Sequence, residues 1–310
     1  MTTSAALVLG AAGFIGRHVC RSLAQNGLIV HGIGHGSWGL AERTSWGISF
    51  WTEGDITIQT LALAAVRTEF CAIINCAGTG AVSQAFSAPY IDYERTVSTT
   101  ATALEFARLS SGVRPRVVLV SSAAVYGDQG DLPLNESSIR NPISPYGFSK
   151  VAAENLCESY SRFFDVNATI VRLFSVYGDG LRKQLLWDAV RKFTQSDLQF
   201  FGTGRELRDW IHVDDAGELL CKAAMASQST LEIYNGGHIF ATTREVLERL
   251  ATAFGLSQRP SFSGQEHRGN PRQLISGSER ARYQLGWQPR VQLDDGLRRY
   301  VEWFRRLRQE

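Results

Sequence analysis

The chain has 310 residues, 44% of them apolar, and a formal net charge of +2. That is enough to bury a full core, and too near neutrality to favour a nucleic-acid or membrane surface. Five cysteines (Cys20, Cys71, Cys76, Cys157, Cys221) without a C-x-x-C pair, and histidines without ligand spacing, exclude a disulfide framework and a zinc site. No apolar run is long enough to span a bilayer and no basic leader follows Met1, so a cytoplasmic protein is expected.

In chain order, short apolar runs alternate with helical patterns as far as residue 173. Strands are predicted at 7–9, 29–33, 48–51, 71–76, 117–121 and 168–173, and helices at 14–26, 61–70, 91–110 and 146–164. This alternation predicts an α/β fold with a doubly wound, Rossmann-type parallel sheet. Between the first strand and first helix runs Gly10-Ala-Ala-Gly13-Phe14-Ile15-Gly16. Glycines at three-residue spacing permit a tight turn and a close backbone approach to phosphate at a helix N-terminus. The spacing is G-x-x-G-x-x-G, so the position between strand and helix carries the reading as much as the motif.

The strand at 117–121 runs into Ser121 and Ser122, at the edge where open α/β sheets bind their ligands. A serine hydroxyl there can donate to a substrate oxygen. Tyr146-Gly-Phe-Ser-Lys150 follows, with phenol and ammonium one helical turn apart on the same face. With 4 lysines and 9 tyrosines in the chain, chance supplies about 0.1 such pairs. A neighbouring ammonium lowers a tyrosine pKa, so the pair is expected to move a proton near neutral pH. Beyond residue 174 regularity falls. The basic amphipathic stretch 297–308 reads as a terminal helix packed through Leu297, Tyr300, Val301, Phe304 and Leu307.

The glycine triplet, the serine and the Tyr-x-x-x-Lys, in that order, resemble the extended short-chain dehydrogenase/reductases of the nucleotide-sugar epimerase/dehydratase family. So do Asn75-Cys76-Ala77-Gly78, Arg172-Leu-Phe-Ser175-Val-Tyr-Gly178, Phe201-Gly-Thr-Gly204, Arg208-Asp-Trp-Ile-His-Val-Asp-Asp215 and Leu285-Gly-Trp-Gln-Pro289. The resemblance implies a dinucleotide-binding domain at 1–173, with segments after about 208 packing back on it. Residues 174–310 would mostly form a smaller, interleaved substrate domain. It makes Ser122 the catalytic hydroxyl, Tyr146 the acid/base and Lys150 the ribose-binding lysine. The cofactor would contact Gly10, Gly13, Phe14, Ile15, Gly16, Gly34, His35, Asp55, Ile56, Cys76, Ala77 and Gly78 as well. A nucleotide-diphosphate sugar would meet Ser122, Ser175, Arg182, Arg208, and Arg268 or Arg272, the arginines pairing with phosphate oxygens. Two asparagines expected by the resemblance are replaced, by Thr96 and Ser175. Helices 91–110 and 146–164 resemble the family's subunit interface, which implies a homodimer.

Relatives that prefer NAD carry an acidic residue at the end of the second strand, where this chain has Gly34. Without a carboxylate to repel a 2′-phosphate the cofactor, NAD or NADP, leans towards NADP, with His35 or Arg43 within reach. The family's 4,6-dehydratases follow the catalytic hydroxyl residue with Asp-Glu; here Ala123 and Ala124 stand there and cannot carry protons. The leading expectation is therefore a UDP-sugar-type 4-epimerase. An NADPH-dependent 4-keto-6-deoxy sugar reductase is the alternative, and a non-catalytic dinucleotide sensor is the reading from another class.

Overall fold

Side chains along the first strands point alternately to two faces, and each face has its own helices to cover it. Ala6, Val8, Ala72, Ile74 and Val118 pack into one apolar cluster, while Leu7, Leu9, Ile73, Val117 and Leu119 pack into another. In the computed structural model, which describes residues 4–36, 38–66, 68–80, 82–130, 133–227, 231–266, 269 and 271–309, these strands are continuous with buried parallel pairing. The first half runs β1 (Ala5–Leu9), α1 (Phe14–Gln25), β2 (Ile29–Gly34), α2 (Leu40–Ser45), β3 (Phe50–Glu53), α3 (Ile58–Ala65) and β4 (Phe70–Asn75). It continues with α4 (Val82–Ser87), α5 (Pro89–Tyr93), a π-helical turn (Glu94–Ser98), α6 (Thr99–Leu109), β5 (Arg116–Ser122), α7 (Pro145–Phe164) and β6 (Ala168–Leu173).

The second half contributes β7 (Ser175–Tyr177), α8 (Gln184–Phe193), β8 (Gln199–Phe200), β9 (Leu207–His212), α9 (Val213–Met225), β10 (Glu232–Gly236) and β11 (Ile239–Thr242). It ends with α10 (Thr243–Phe254), β12 (Ser261–Phe262), β13 (Gln273–Leu274), α11 (Glu279–Leu285) and α12 (Leu293–Leu307). β10 returns to the main sheet, whose seven strands are all parallel in the order β10-β6-β5-β4-β1-β2-β3. Helix α9 returns with it and lies against α1. The strand order reverses direction between β1 and β4, so a crevice opens beyond their carboxyl ends. Both faces of the sheet are covered, as the doubly wound reading requires.

A third apolar cluster holds the remaining elements together: Tyr177, Leu186, Trp210 and Leu250 with Leu297, Tyr300 and Phe304 of α12. There β9 pairs with β11, β13 and β7, forming a small sheet that faces the carboxyl edge of the large one. Among the described residues no helix is long and apolar enough to cross a membrane, and no group of His, Cys, Asp or Glu is arranged to hold a metal.

Candidate active site

Backbone constraints put the first wall of the site in place. Gly10 sits at φ 72°, and a Cβ there would come within 3.0 Å of Ala77 N. At Gly16 a Cβ would run into the carbonyl oxygen of Gly10. The turn therefore needs glycine for its conformation and its closeness, and it delivers the start of α1 to the crevice. Gly13 caps α1 with no side chain of its own, leaving the first N–H groups of the helix open to an anion. The adjoining loop is fixed by Cys76 N donating to Leu9 O at 2.9 Å and Ala77 N donating to Asn75 Oδ1 at 3.1 Å.

The second wall is β5 and α7. Ser144 accepts from Gly147 N at 3.2 Å, and Pro145 occupies the first turn, where its missing N–H costs nothing. This start point directs Tyr146 and Lys150 at the end of β5. Ser122 Oγ accepts from Ala124 N at 3.2 Å, and its hydroxyl is hydrogen-bonded to Tyr146. Lys150 Nζ donates to Val120 O at 2.9 Å and lies 5.7 Å from the centre of the Tyr146 ring. Beneath them runs a buried polar network. Ser121 Oγ donates to Glu154 at 2.6 Å, Arg172 donates to both oxygens of Glu154 at 2.9 and 2.7 Å, and Arg172 Nη1 donates to Tyr126 Oη at 2.9 Å.

Burial dominates the electrostatics. It pushes the Tyr146 phenol up to about 12, against the opposing bond from Ser122, with Asp92 adding to the rise. It pushes the Lys150 ammonium down to about 8, opposed by Asp92, Cys76 and Glu154. The expectation that the pair titrates near neutral pH is thus not met in this structure. Lys150 is turned to the Val120 carbonyl, and desolvation is the largest influence on both groups.

Between the two walls and the small sheet lies a cleft of about 650 Å³, the size of a small-molecule site. Gly13, Phe14, Ile15, Gly16, Cys76, Ala77 and Gly78 line it together with Ser122, Tyr146, Lys150, Ser175 and Arg208. Arg208 is buried, donating to Leu207 O at 2.8 Å and Pro271 O at 2.5 Å, and burial lowers it to about 10. Other expected residues lie elsewhere. Gly34, His35, Asp55 and Ile56 sit beyond the cleft at the ends of β2 and β3, where His35 Nε2 meets Asp55 Oδ1 at 2.9 Å. Arg182 does not line the cleft; its guanidinium stands over the Trp303 ring at 5.8 Å. Arg272 turns outward beside Asp128, 3.8 Å away, instead of joining Arg208. Arg268 lies outside the described residues.

Sequence reasoning missed Asp92, whereas the stretch 182–188, with Lys183 and Gln184, reads from the sequence as opening the substrate domain and lining the nucleotide or sugar pocket. Lys183 and Gln184 line the cleft from the start of α8, and Gln184 Nε2 donates to Gly80 O at 2.5 Å. Asp92 is fully buried under the loop that carries Gly78 and Thr79. The i, i+4 spacing of Glu154 from Lys150 was a usable signal; Asp92 gave none.

A glycine cradle at a helix N-terminus, beside a Ser-Tyr-Lys set at the switch point of a parallel sheet, fits a nicotinamide dinucleotide. The NAD dependent epimerase/dehydratase family model matches residues 6–237. The chain belongs to that family. Membership makes it an enzyme with a nicotinamide dinucleotide as its cofactor. A UDP-glucose 4-epimerase of Mycolicibacterium smegmatis is 32% identical over 96% of this chain and 98% of its own length. The solved UDP-glucose 4-epimerase of Thermotoga maritima, with UDP-glucose, is 26% identical with a TM-score of 0.87, covering 97% of this chain and 99% of that one. A dTDP-glucose 4,6-dehydratase of Streptomyces venezuelae, solved as a double mutant with NAD bound, is also 26% identical at a TM-score of 0.87, covering 98% of each chain.

Proposed function

We propose that this protein is a UDP-sugar 4-epimerase that uses NAD. Equal likeness to an epimerase and a dehydratase leaves the choice to the residues in the cleft. The observation that carries the reading is that Ser122 and Tyr146 meet at the edge of the cleft with only Ala123 and Ala124 following. Water elimination needs an acid and a base at that point, and methyl groups are neither.

Ser122 and Tyr146 both address the sugar O4. Tyr146 takes the O4 proton as C4 is oxidised and returns it after the keto sugar has turned its other face, while Ser122 donates to the same oxygen. Lys150, one turn along the helix, favours the phenolate that Tyr146 must be in order to take that proton, and holds the nicotinamide ribose. When bound, the dinucleotide supplies reversible hydride exchange at C4. Gly13 to Gly16 and the start of α1 would hold its pyrophosphate, and Ser175 and Arg208 would contact the nucleotide sugar.

The His35–Asp55 pair supports NAD over NADP. A carboxylate does stand near the end of β2, supplied from the loop after β3, and it occupies the imidazole that would otherwise favour a 2′-phosphate. We further propose that residues 1–173 with the returning α9–β10 segment form the cofactor domain, and that the rest mostly forms the substrate domain. The enzyme works in the cytoplasm as a homodimer. Exposed Tyr90, Ile91 and Tyr93 on α5, Leu109 on α6 and Phe148, Phe163 and Phe164 on α7 support a partner surface on these helices.

Denaturing the purified protein and identifying the released nucleotide tests the cofactor and the reaction class together. Retained NAD⁺, with UDP-hexoses interconverted and no net change in reduced-nicotinamide absorbance, is the expected result. Continuous oxidation of added NADPH by a 4-keto sugar would instead identify a reductase.

A further inference from the structure

Asp92 is 0% exposed, yet among the described residues only a neutral side chain is bonded to it: the Thr79 hydroxyl donates to Oδ1. Its Oδ2 has no partner among the described residues, nor has the Thr96 hydroxyl four positions further on. A carboxylate removed from water in this way is costly unless a cation shares its cavity. Lys150 makes no close ion pair with Asp92, but its ammonium lies across the same loop and feels its charge. Thr79 follows Gly78, and a Cβ on Gly78 would lie 3.3 Å from Thr96 Oγ1 and 3.5 Å from Lys150 Nζ. Loop, helix and ammonium thus close around the same small space.

We infer that Asp92 is a positioning residue of the active site, the anionic partner that holds the Lys150 ammonium beside Tyr146. The inference rests on the roles proposed above for Lys150 and Tyr146. Other groups facing Lys150 do not serve in its place. Glu154, on the same helix, is already paired with Arg172 at 2.7 Å and Arg140 at 3.3 Å. The Cys76 thiol is pushed up to about 12 by burial, and so is neutral. The Tyr146 phenol is pushed up by burial likewise. Among the charges around Lys150, Asp92 most strongly opposes the burial that lowers it, and the same charge raises Tyr146.

Both effects have the same sign when the charge is removed. Asp92→Asn takes away the anion that favours ammonium and disfavours phenolate, so Lys150 and Tyr146 both lose their protons at lower pH. The chain has 4 lysines, so ε-¹³C-lysine labelling gives a spectrum in which Lys150 is assigned by replacing Lys183, Lys192 and Lys222 with arginine. Its titration needs neither cofactor nor substrate. Asp92→Asn is expected to move the Lys150 midpoint down by about one pH unit and to carry both limbs of the pH–rate profile the same way. An unmoved Lys150 midpoint overturns the inference, whatever happens to activity. If Asp92→Asn does not fold, Asp92→Ser, which keeps an oxygen for Thr79, carries the same test. A wild-type protein without epimerase activity whose Lys150 still responds to Asp92→Asn would sink the functional reading and leave this one standing.

Discussion

The Tyr146 hydroxyl is hydrogen-bonded to Ser122, while Lys150 is held separately on Val120 O. Removing that hydroxyl therefore leaves the lysine and the glycine turn where they are. Tyr146→Phe is expected to lose at least about 100-fold of turnover with cofactor affinity nearly unchanged, whereas Lys150→Ala should damage both. Steady-state rates beside a cofactor titration check this, and a Tyr146→Phe enzyme with near-normal turnover contradicts it. Ser122, Tyr146 and Lys150 were legible because their chemistry is written in local spacing. Arg182 and Arg272 were not, because a guanidinium's direction is set by Trp303 and Asp128, partners remote in sequence. The same applies to Asp92, whose partner Thr79 comes from another element.

Asp214, in the first turn of α9, ties together elements from both halves of the chain. It accepts from His18 Nδ1 at 2.7 Å and Arg21 at 2.5 Å on α1, and from Arg299 at 2.5 Å on α12. His18 Nε2 meets Asp179 O at 3.0 Å in the loop before α8. Burial works against the Asp214 charge, but the bonds from His18 and Arg299 hold its carboxyl well below the usual range. A group depressed in this way adds stability above its unfolded pKa of about 3.9, and that stability fades as pH falls below it. Asp214→Asn is expected to cost about 2 kcal/mol at neutral pH, discounted for partial exposure. The gap between wild type and variant should close below about pH 4 in denaturant melts; a gap independent of pH contradicts the linkage.

Elements with plain periodicity came out of the sequence within a residue or two. Less plain ones moved. The helix read at 61–70 is α3 at Ile58–Ala65, because Thr57 accepts from Thr60 N and starts it early, while Phe70 belongs to β4. The strand read at 48–51 is β3 at Phe50–Glu53, since Gly47 turns at φ 78° and Ile48 N is bonded back to Arg43 O. The single helix read at 91–110 is α5, a π turn and α6. α12 begins at Leu293, before the stretch read as a helix, with Asp294 and Asp295 favouring its N-terminus.

For the whole molecule, the aromatic surface on α5 and α7 needs a cover. Phe148 and Phe163 are 62% and 67% exposed. Sedimentation at micromolar concentration is expected to show a dimer, and Phe163→Glu should shift it to monomer; a wild-type monomer contradicts the proposed assembly. The cleft between the large sheet and the small one is where all the claims meet. Its nature was readable from motifs, but the side formed by the small sheet was not, because that side comes from short strands whose pairing depends on long-range contacts. The most direct test is to follow a UDP-hexose deuterated at C4 through interconversion. Exchange of the 4-hydroxyl configuration with the deuterium kept at C4, and no cofactor consumed, is the result predicted. Loss of the deuterium to free reduced cofactor, or no change at C4 in any UDP-hexose offered, would contradict epimerisation by this enzyme.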